Sequence, residues 1–268
     1  MATSNVIDLP WTRPRVAVLE ISGAIGAQVR APQMVRTIRA LTNDRRVKAV
    51  VVEIDSPGGS ASASDAIYKQ LQKLSKKKPT VAFVMGAGLS GGYLIACGTR
   101  HIVAMPTALI GSIGVIFMRP VVSELMAKLG VRMEMTHEGK LKGMFQPWRD
   151  PTPEEQAKVQ ALTDDLYEWF VGAVAESRNM DVKTVKKYAT GEMFLGAKAH
   201  EMGLIDELGD FEAALKKARE LAELPERPRL QYVRPRRPFM ERVLARGATA
   251  SDIAAAIEER IVPRIEFR

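Results

Sequence analysis

The sequence predicts an α/β fold, a parallel sheet with flanking helices. Short apolar runs rich in β-branched residues alternate with longer stretches of helical period, and the runs stop at glycine turns. The run at 47–54 is apolar enough to be buried on both sides, as inner parallel strands are. Strand, glycine turn and helix in repetition is the order that right-handed crossovers produce.

Taken in order, residues 15–21 read as a strand that ends at Ser22 and Gly23. A helix from Pro32 puts Val35, Ile38 and Leu41 on one face. The strand at 47–54 stops at Asp55-Ser56-Pro57-Gly58-Gly59, and the next helix carries Ile67, Leu71 and Leu74. A strand at 81–84 leads into the glycine-flanked Ser90, and Tyr93 to Ala96 opens a buried helix. Further strands are expected at 101–104, 113–117 and 131–136, with a helix at 121–129. Thr152-Pro153-Glu154-Glu155 is a capping box with proline at the first helical position. The helix it opens carries Val159, Leu162, Leu166, Phe170 and Val174, a stripe long enough to face both the sheet and a neighbouring subunit. Helices at 182–188 and 211–224 flank residues 203–209. Four prolines and several arginines between 225 and 238 read as a linker, and 240–261 as an amphipathic helix. The expected organisation is an N-terminal arm at 1–14, a main domain at 15–224, and a linker with a helical appendage at 225–268.

The 268 residues suffice for a substantial core. The single cysteine, Cys97, excludes an intramolecular disulfide framework and sits in an apolar setting that suits a buried structural thiol. The net charge of +8 is spread along the chain without the aromatic-and-basic pattern of a nucleic-acid module, so no nucleic-acid partner is expected. No apolar run is long enough for a secretory leader or a membrane span. A soluble cytoplasmic protein is the expectation, with peripheral contact at an anionic membrane left open by the basic residues.

Chemistry points to Ser90. It lies at a strand-to-helix turn on the carboxyl side of the sheet, where open α/β folds place their sites. The first amides of the following helix have no partner inside it and can stabilise an oxyanion. Gly58-Gly59 ends the neighbouring strand in the same way and could add a donor. A serine hydroxyl needs a base. His101, His137 and His200 have no motif of their own, and a triad with one of them has no positive support. A lysine base must be neutral, which requires its pKa to fall far below about 10.4. Among the lysines, Lys142 is followed directly by small and apolar residues, with Lys140 its rival.

The blocks Asp55-Ser56-Pro57-Gly58-Gly59, Leu89-Ser90-Gly91-Gly92-Tyr93, Gly111-Ser112-Ile113-Gly114-Val115, Lys142-Gly143-Met144 and the 203–209 segment resemble, in order, those of the S49 signal peptide peptidases. The resemblance runs from about residue 15 to 224. It implies a crotonase- or ClpP-like superhelical fold and a serine peptidase without metal or organic cofactor. Ser90 would be the nucleophile, Lys142 the general base, Ser112 the residue that orients the lysine, and the Gly59 and Gly91 amides the oxyanion hole. It also implies assembly into a ring or dome, with Lys142 able to serve a neighbouring subunit, and unfolded or apolar peptides as substrates. Two other readings stand beside it: a crotonase-like acyl-CoA hydratase or isomerase with Asp55 or Asp65 as base, and a non-catalytic pseudopeptidase scaffold.

Overall fold

The computed structural model describes residues 14–226 and 228–233, together with the backbone of 265–267. The chain divides into two units, one built on residues 14–114 and 170–233 and one on 115–169 with 265–266.

The first unit holds the main sheet. Its strands are β1 (Arg15–Ser22), β2 (Val47–Ser56), β4 (Thr80–Leu89), β5 (His101–Ala104), β9 (Glu207–Leu208) and β10 (Arg229–Val233), in the order β10-β1-β2-β4-β5-β9. All of these neighbours pair in parallel. Two short strands lie off this path: β6 (Leu109–Gly111) runs parallel to the end of β4, and β8 (Met193–Leu195) pairs antiparallel with β6. A two-residue strand, β3 (Gly59–Ser60), lies outside the main sheet.

Sequence alternation decides how this sheet is covered. Val47, Ala49 and Val51 point to one face and Val50, Val52 and Ile54 to the other, and all six are buried. On the first face, α8 (Phe211–Leu221) lays Ala214, Leu215 and Ala218 against Val16, Ala49, Val51, Val81, Phe83 and Val103. Asp210 starts α8 by accepting the Ala213 amide at 3.0 Å. Elsewhere α3 (Gly91–Ala96) packs on β2 and β4, α2 (Ala61–Ser75) on α3, and α1 (Ala31–Asn43) on α2. Two further helices, α6 (Val182–Tyr188) and α7 (Gly196–Glu201), belong to the same unit. Each fully buried Leu, Ile or Phe in these layers contributes about 1.5–3 kcal/mol.

In the second unit, β7 (Ile116–Phe117) pairs antiparallel with β11 (Ile265–Phe267), and α4 (Ser123–Lys128) follows. The long helix α5 (Pro153–Arg178) gives its first half to the second unit and its second half to the first. The capping box forms as read: the Thr152 amide donates to Glu155 Oε2 at 2.9 Å and the Glu155 amide to Thr152 Oγ1 at 3.2 Å.

Several elements differ from the sequence expectation. On α1 it is Met34, with Ile38 and Leu41, that is buried, while Val35 is only half-buried. The strand expected at 113–117 forms instead as β6, with a two-residue remnant in β7, because Gly111 and Ser112 take positive φ and turn the chain away. Residues 131–136 form no strand, since their apolar members have no neighbouring strand to pair with and Val131 and Met133 are about half exposed. On α5 burial of the apolar stripe begins at Phe170, and Val159, Leu162 and Leu166 stay half-exposed. Within the range read as a linker, Arg229 to Val233 pairs with β1 between the flanking prolines. Of the expected arm at 1–14, residues 1–13 lie outside the described residues, as does the helix expected at 240–261.

Candidate active site

Ser90 follows the last residue of β4 and caps α3. Its backbone stands at φ 52° and ψ −119°, the first central position of a type II′ turn, a region that glycine favours. The turn is held by two backbone bonds: the Ser90 amide donates to the Gly111 carbonyl at 2.8 Å, and the Leu94 amide donates to the Ser90 carbonyl at 2.9 Å. Ser90 is fully buried, and its Oγ finds no hydrogen-bond partner among the described residues. A strained backbone presenting an unpartnered buried hydroxyl is a costly arrangement, of the kind concentrated at functional sites.

The two glycines named for the oxyanion both lie against Ile25. In the parallel bridge between Ile25 and Gly59, the Ile25 amide donates to the Gly58 carbonyl at 2.8 Å and the Ser60 amide to the Ile25 carbonyl at 2.9 Å. That pattern leaves the Gly59 N–H on the far side of its strand. Gly59 sits at φ 146°, and a side chain there would run into the Ile25 carbonyl oxygen. Gly91 is the first residue of α3, so its N–H has no intrahelical acceptor. A Cβ on Gly91 would overlap Ser64 Oγ and lie 3.4 Å from Ile25 Cδ1. Ser56 pairs with Gly88 in the sheet, which brings the two glycine turns side by side.

Ser112 joins this group through the sheet register. Leu89 pairs with Gly111, so Ser90 and Ser112 follow paired residues. Ser112 also has positive φ, at 51°, and its amide donates to the Glu192 carbonyl at 2.7 Å. The first unit thus brings together Ser90, Gly59, Gly91 and Ser112.

Lys142 belongs to the second unit, in a run of turns where its amide donates to the Gly139 carbonyl at 3.0 Å. Its side chain is exposed, and no ion pair engages it among the described residues. Lys140 differs, because its Nζ is paired with Glu154 Oε2 at 2.7 Å. Two residues missed by sequence reasoning hold the Lys142 segment: Arg149 donates to the Gly143 carbonyl at 2.8 Å and Arg119 to the Met144 carbonyl at 2.7 Å. The only hint in the sequence is Arg149 standing just ahead of the capping box.

The other candidates are occupied elsewhere. His101 pairs with Val81 near the start of β4, at the opposite end of that strand from the Ser90 turn. Its Nε2 contacts Glu207 Oε2 at 3.1 Å. Asp65 is paired with Lys69 at 2.8 Å, and Asp55 accepts the Ala87 amide at 3.0 Å. Burial pushes the Cys97 thiol up to about 11, which makes it unreactive at neutral pH. Below it Arg178 makes a bidentate pair with Asp206, at 2.5 and 2.9 Å, and Tyr93 donates to the Leu204 carbonyl at 2.7 Å. These bonds tie α3 and α5 to the sheet edge. Among the described residues no cluster of His, Cys, Asp and Glu could hold a metal, and no helix is long and apolar enough to cross a membrane.

A buried serine in a strained strand-to-helix turn, with a second glycine turn beside it at the carboxyl end of the neighbouring parallel strand, suits a serine peptidase on a ClpP-like α/β fold. Comparison with known proteins bears this out. The Clp protease family model matches residues 15–111, and that of peptidase family S49 matches residues 72–225. A putative protease of Synechocystis, slr0021, is 37% identical over 233 residues, covering 87% of this chain and 83% of its own length. The putative signal peptide peptidase SppA of Enterococcus faecium is 33% identical, covering 86% of this chain and 70% of its own. The chloroplastic serine protease SPPA of Arabidopsis thaliana is 31% identical over 87% of this chain but only 36% of its own length. In structure, a mutant of the 1510-N membrane-bound stomatin-specific protease superposes with TM-score 0.53 at 18% identity, covering 84% of this chain and 99% of that one. The chain belongs to peptidase family S49 and is a serine peptidase.

Proposed function

We propose that the protein is an endopeptidase that works through a Ser90–Lys142 dyad on unfolded or apolar peptides, remnants of signal peptides among them. The observation that carries this reading is Ser90 itself, strained, buried, without a hydrogen-bond partner among the described residues, and followed directly by Gly91 at the start of α3. In the reaction, neutral Lys142 takes the hydroxyl proton as Ser90 Oγ attacks the peptide carbonyl carbon. The oxyanion is received by the two glycine N–H groups, each worth about 10²–10³ in rate. As the C–N bond breaks, Lys142 returns the proton to the leaving amine. Water, activated by the same lysine, then hydrolyses the acyl-enzyme. Ser112 would orient the lysine. Because Ser90 is fully buried, productive binding requires the surrounding chain to open.

Lys142 is favoured over Lys140 because Glu154 holds the latter as a charged ion-pair partner. Its exposed position suits a base that is completed in an assembly, and we infer a ring or dome in which Lys142 serves a neighbouring subunit. The acyl-CoA reading is set aside, since Asp55 and Asp65 are engaged and family membership accounts for Ser90.

Complementation tests both parts. Ser90→Ala and Lys142→Ala should each lose cleavage of a denatured protein, and a mixture of the two should regain part of it. Full cleavage by either variant alone would refute the dyad. A mixture that stays inactive would place both residues of a site in one chain.

A further inference from the structure

We propose that Arg149 and Arg119 are positioning residues for Lys142, and that Glu155 at the start of α5 acts through Arg149. The inference rests on the reading of Lys142 as the base. A base must be held within a fraction of an ångström of its working position. Lys142 lies on neither a strand nor a helix: the 139–146 segment is a succession of turns, closed by weak bonds from the Met144 amide to Leu141 at 3.2 Å and from the Gln146 amide to Gly143 at 3.3 Å. Something else must fix it.

The structure supplies that from side chains. Arg149 reaches the carbonyl of Gly143, the residue directly after Lys142, at 2.8 Å. Arg119 donates to the next carbonyl, of Met144, at 2.7 Å and, at the limit of a bond, to that of Gln146 at 3.4 Å. The Phe145 ring packs against Phe117 with centroids 5.3 Å apart and planes tilted by 40°, giving the segment an apolar anchor. Arg149 is itself immobilised. Its two terminal nitrogens grip both carboxylate oxygens of Glu155, one at 2.9 Å, and Glu155 is pinned by the Thr152 amide in the capping box. The side chain of Glu155 is only 4% exposed, so the carboxylate is held away from water on its side of the pair, while the Arg149 side chain keeps 33% exposure. A rigid helix end is thereby linked, through one carboxylate and one guanidinium, to the backbone beside the lysine. The Arg149 guanidinium holds the Glu155 carboxyl down to about 2, which keeps the link charged at every pH at which a peptidase of this kind would work. A lysine at 149 would be a point charge, without the planar fork that spans two carboxylate oxygens and a carbonyl at once.

The test uses the full chain, a quenched fluorescent denatured protein as substrate, and a fluorophosphonate probe for slow rates. Arg149→Ala should lower kcat by about 10²-fold, the cost of a misplaced catalytic group, with KM little changed. Arg149→Lys should recover part of the loss. In a Lys142→Ala background Arg149→Ala should cost nothing more, since groups that act as a unit are not additive. Should Arg149→Ala fail to fold, Glu155→Gln and Arg119→Lys take its place, with smaller losses in kcat and the same silence in the Lys142→Ala background. A folded Arg149→Ala with full kcat, a change confined to KM, or an equal further loss in the Lys142→Ala background would overturn the positioning role. Wild-type turnover by Lys142→Ala alone would instead overturn the assignment of the base.

Discussion

Replacing Ser90 by glycine should abolish peptidase activity and make the protein more stable. Serine at φ 52° and ψ −119° is strained by about 1–3 kcal/mol, and glycine adopts that conformation freely. The Oγ is fully buried without a partner, and removing such a group returns about 1–3 kcal/mol. Against this, glycine loses more backbone entropy on folding, about 0.4–1 kcal/mol. The net expectation is a gain of about 1–5 kcal/mol, and a rise in Tm of roughly 2–4 °C for each kcal/mol. Ser90→Ala separates the terms, because it removes the hydroxyl but keeps the strain, and should gain less than Ser90→Gly. The assay is thermal unfolding followed by circular dichroism at one protein concentration, since assembly also shifts Tm. A Ser90→Gly protein less stable than wild type by 1 kcal/mol or more would refute the reasoning and show that the hydroxyl is bonded in solution.

Three other perturbations follow from the same geometry. Gly59→Ala drives a Cβ into the Ile25 carbonyl at a backbone angle that side chains avoid, and should cost about 2–4 kcal/mol in denaturant unfolding together with most of the activity. Arg178→Met leaves Asp206 partly buried without its guanidinium, and should cost about 3 kcal/mol, the lower end of the range for a broken buried pair because the Asp206 side chain is 28% exposed and still accepts the Ile102 amide at 2.7 Å; a loss under 1 kcal/mol by the same measurement would contradict the role given to that pair. The Glu155 carboxyl, held down to about 2, contributes stability that is fully present above its ordinary value of 4.5 and is lost as the pH falls through about 2. Acid titration of unfolding should therefore show a component in that window that disappears in Glu155→Gln.

Much of the fold was legible because local pattern and burial agree. The β-branched run at 47–54 lies deep in the sheet, and the capping box at Thr152 starts α5 where it was read. The Ser90 turn was legible as a glycine-flanked break, but its positive φ was not, because that angle is imposed by the Gly111 carbonyl from another strand. Residues 131–136 read as a strand because hydropathy reports which residues would pair, not whether an edge is available. The same blindness to partners made 229–233 read as linker, although Leu230 and Tyr232 alternate as strand residues do and β1 offers an open edge. Along α5 the stripe from Val159 to Leu166 is apolar without being buried, since periodicity names a face and not what covers it. Arg149 and Arg119 were missed for a related reason. Their acceptors beside Lys142 are backbone carbonyls, which carry no side-chain signature.

The central claim is that Ser90 is a nucleophile made reactive by Lys142. It is tested most directly by the rate at which a fluorophosphonate labels wild type, Ser90→Ala, Lys142→Ala and Lys140→Ala, with the modified residue identified by peptide mapping. Labelling should fall on Ser90 in wild type, vanish in Ser90→Ala, slow sharply in Lys142→Ala, and stay near the wild-type rate in Lys140→Ala. A label on Ser90→Ala, or an undiminished rate in Lys142→Ala, would contradict it.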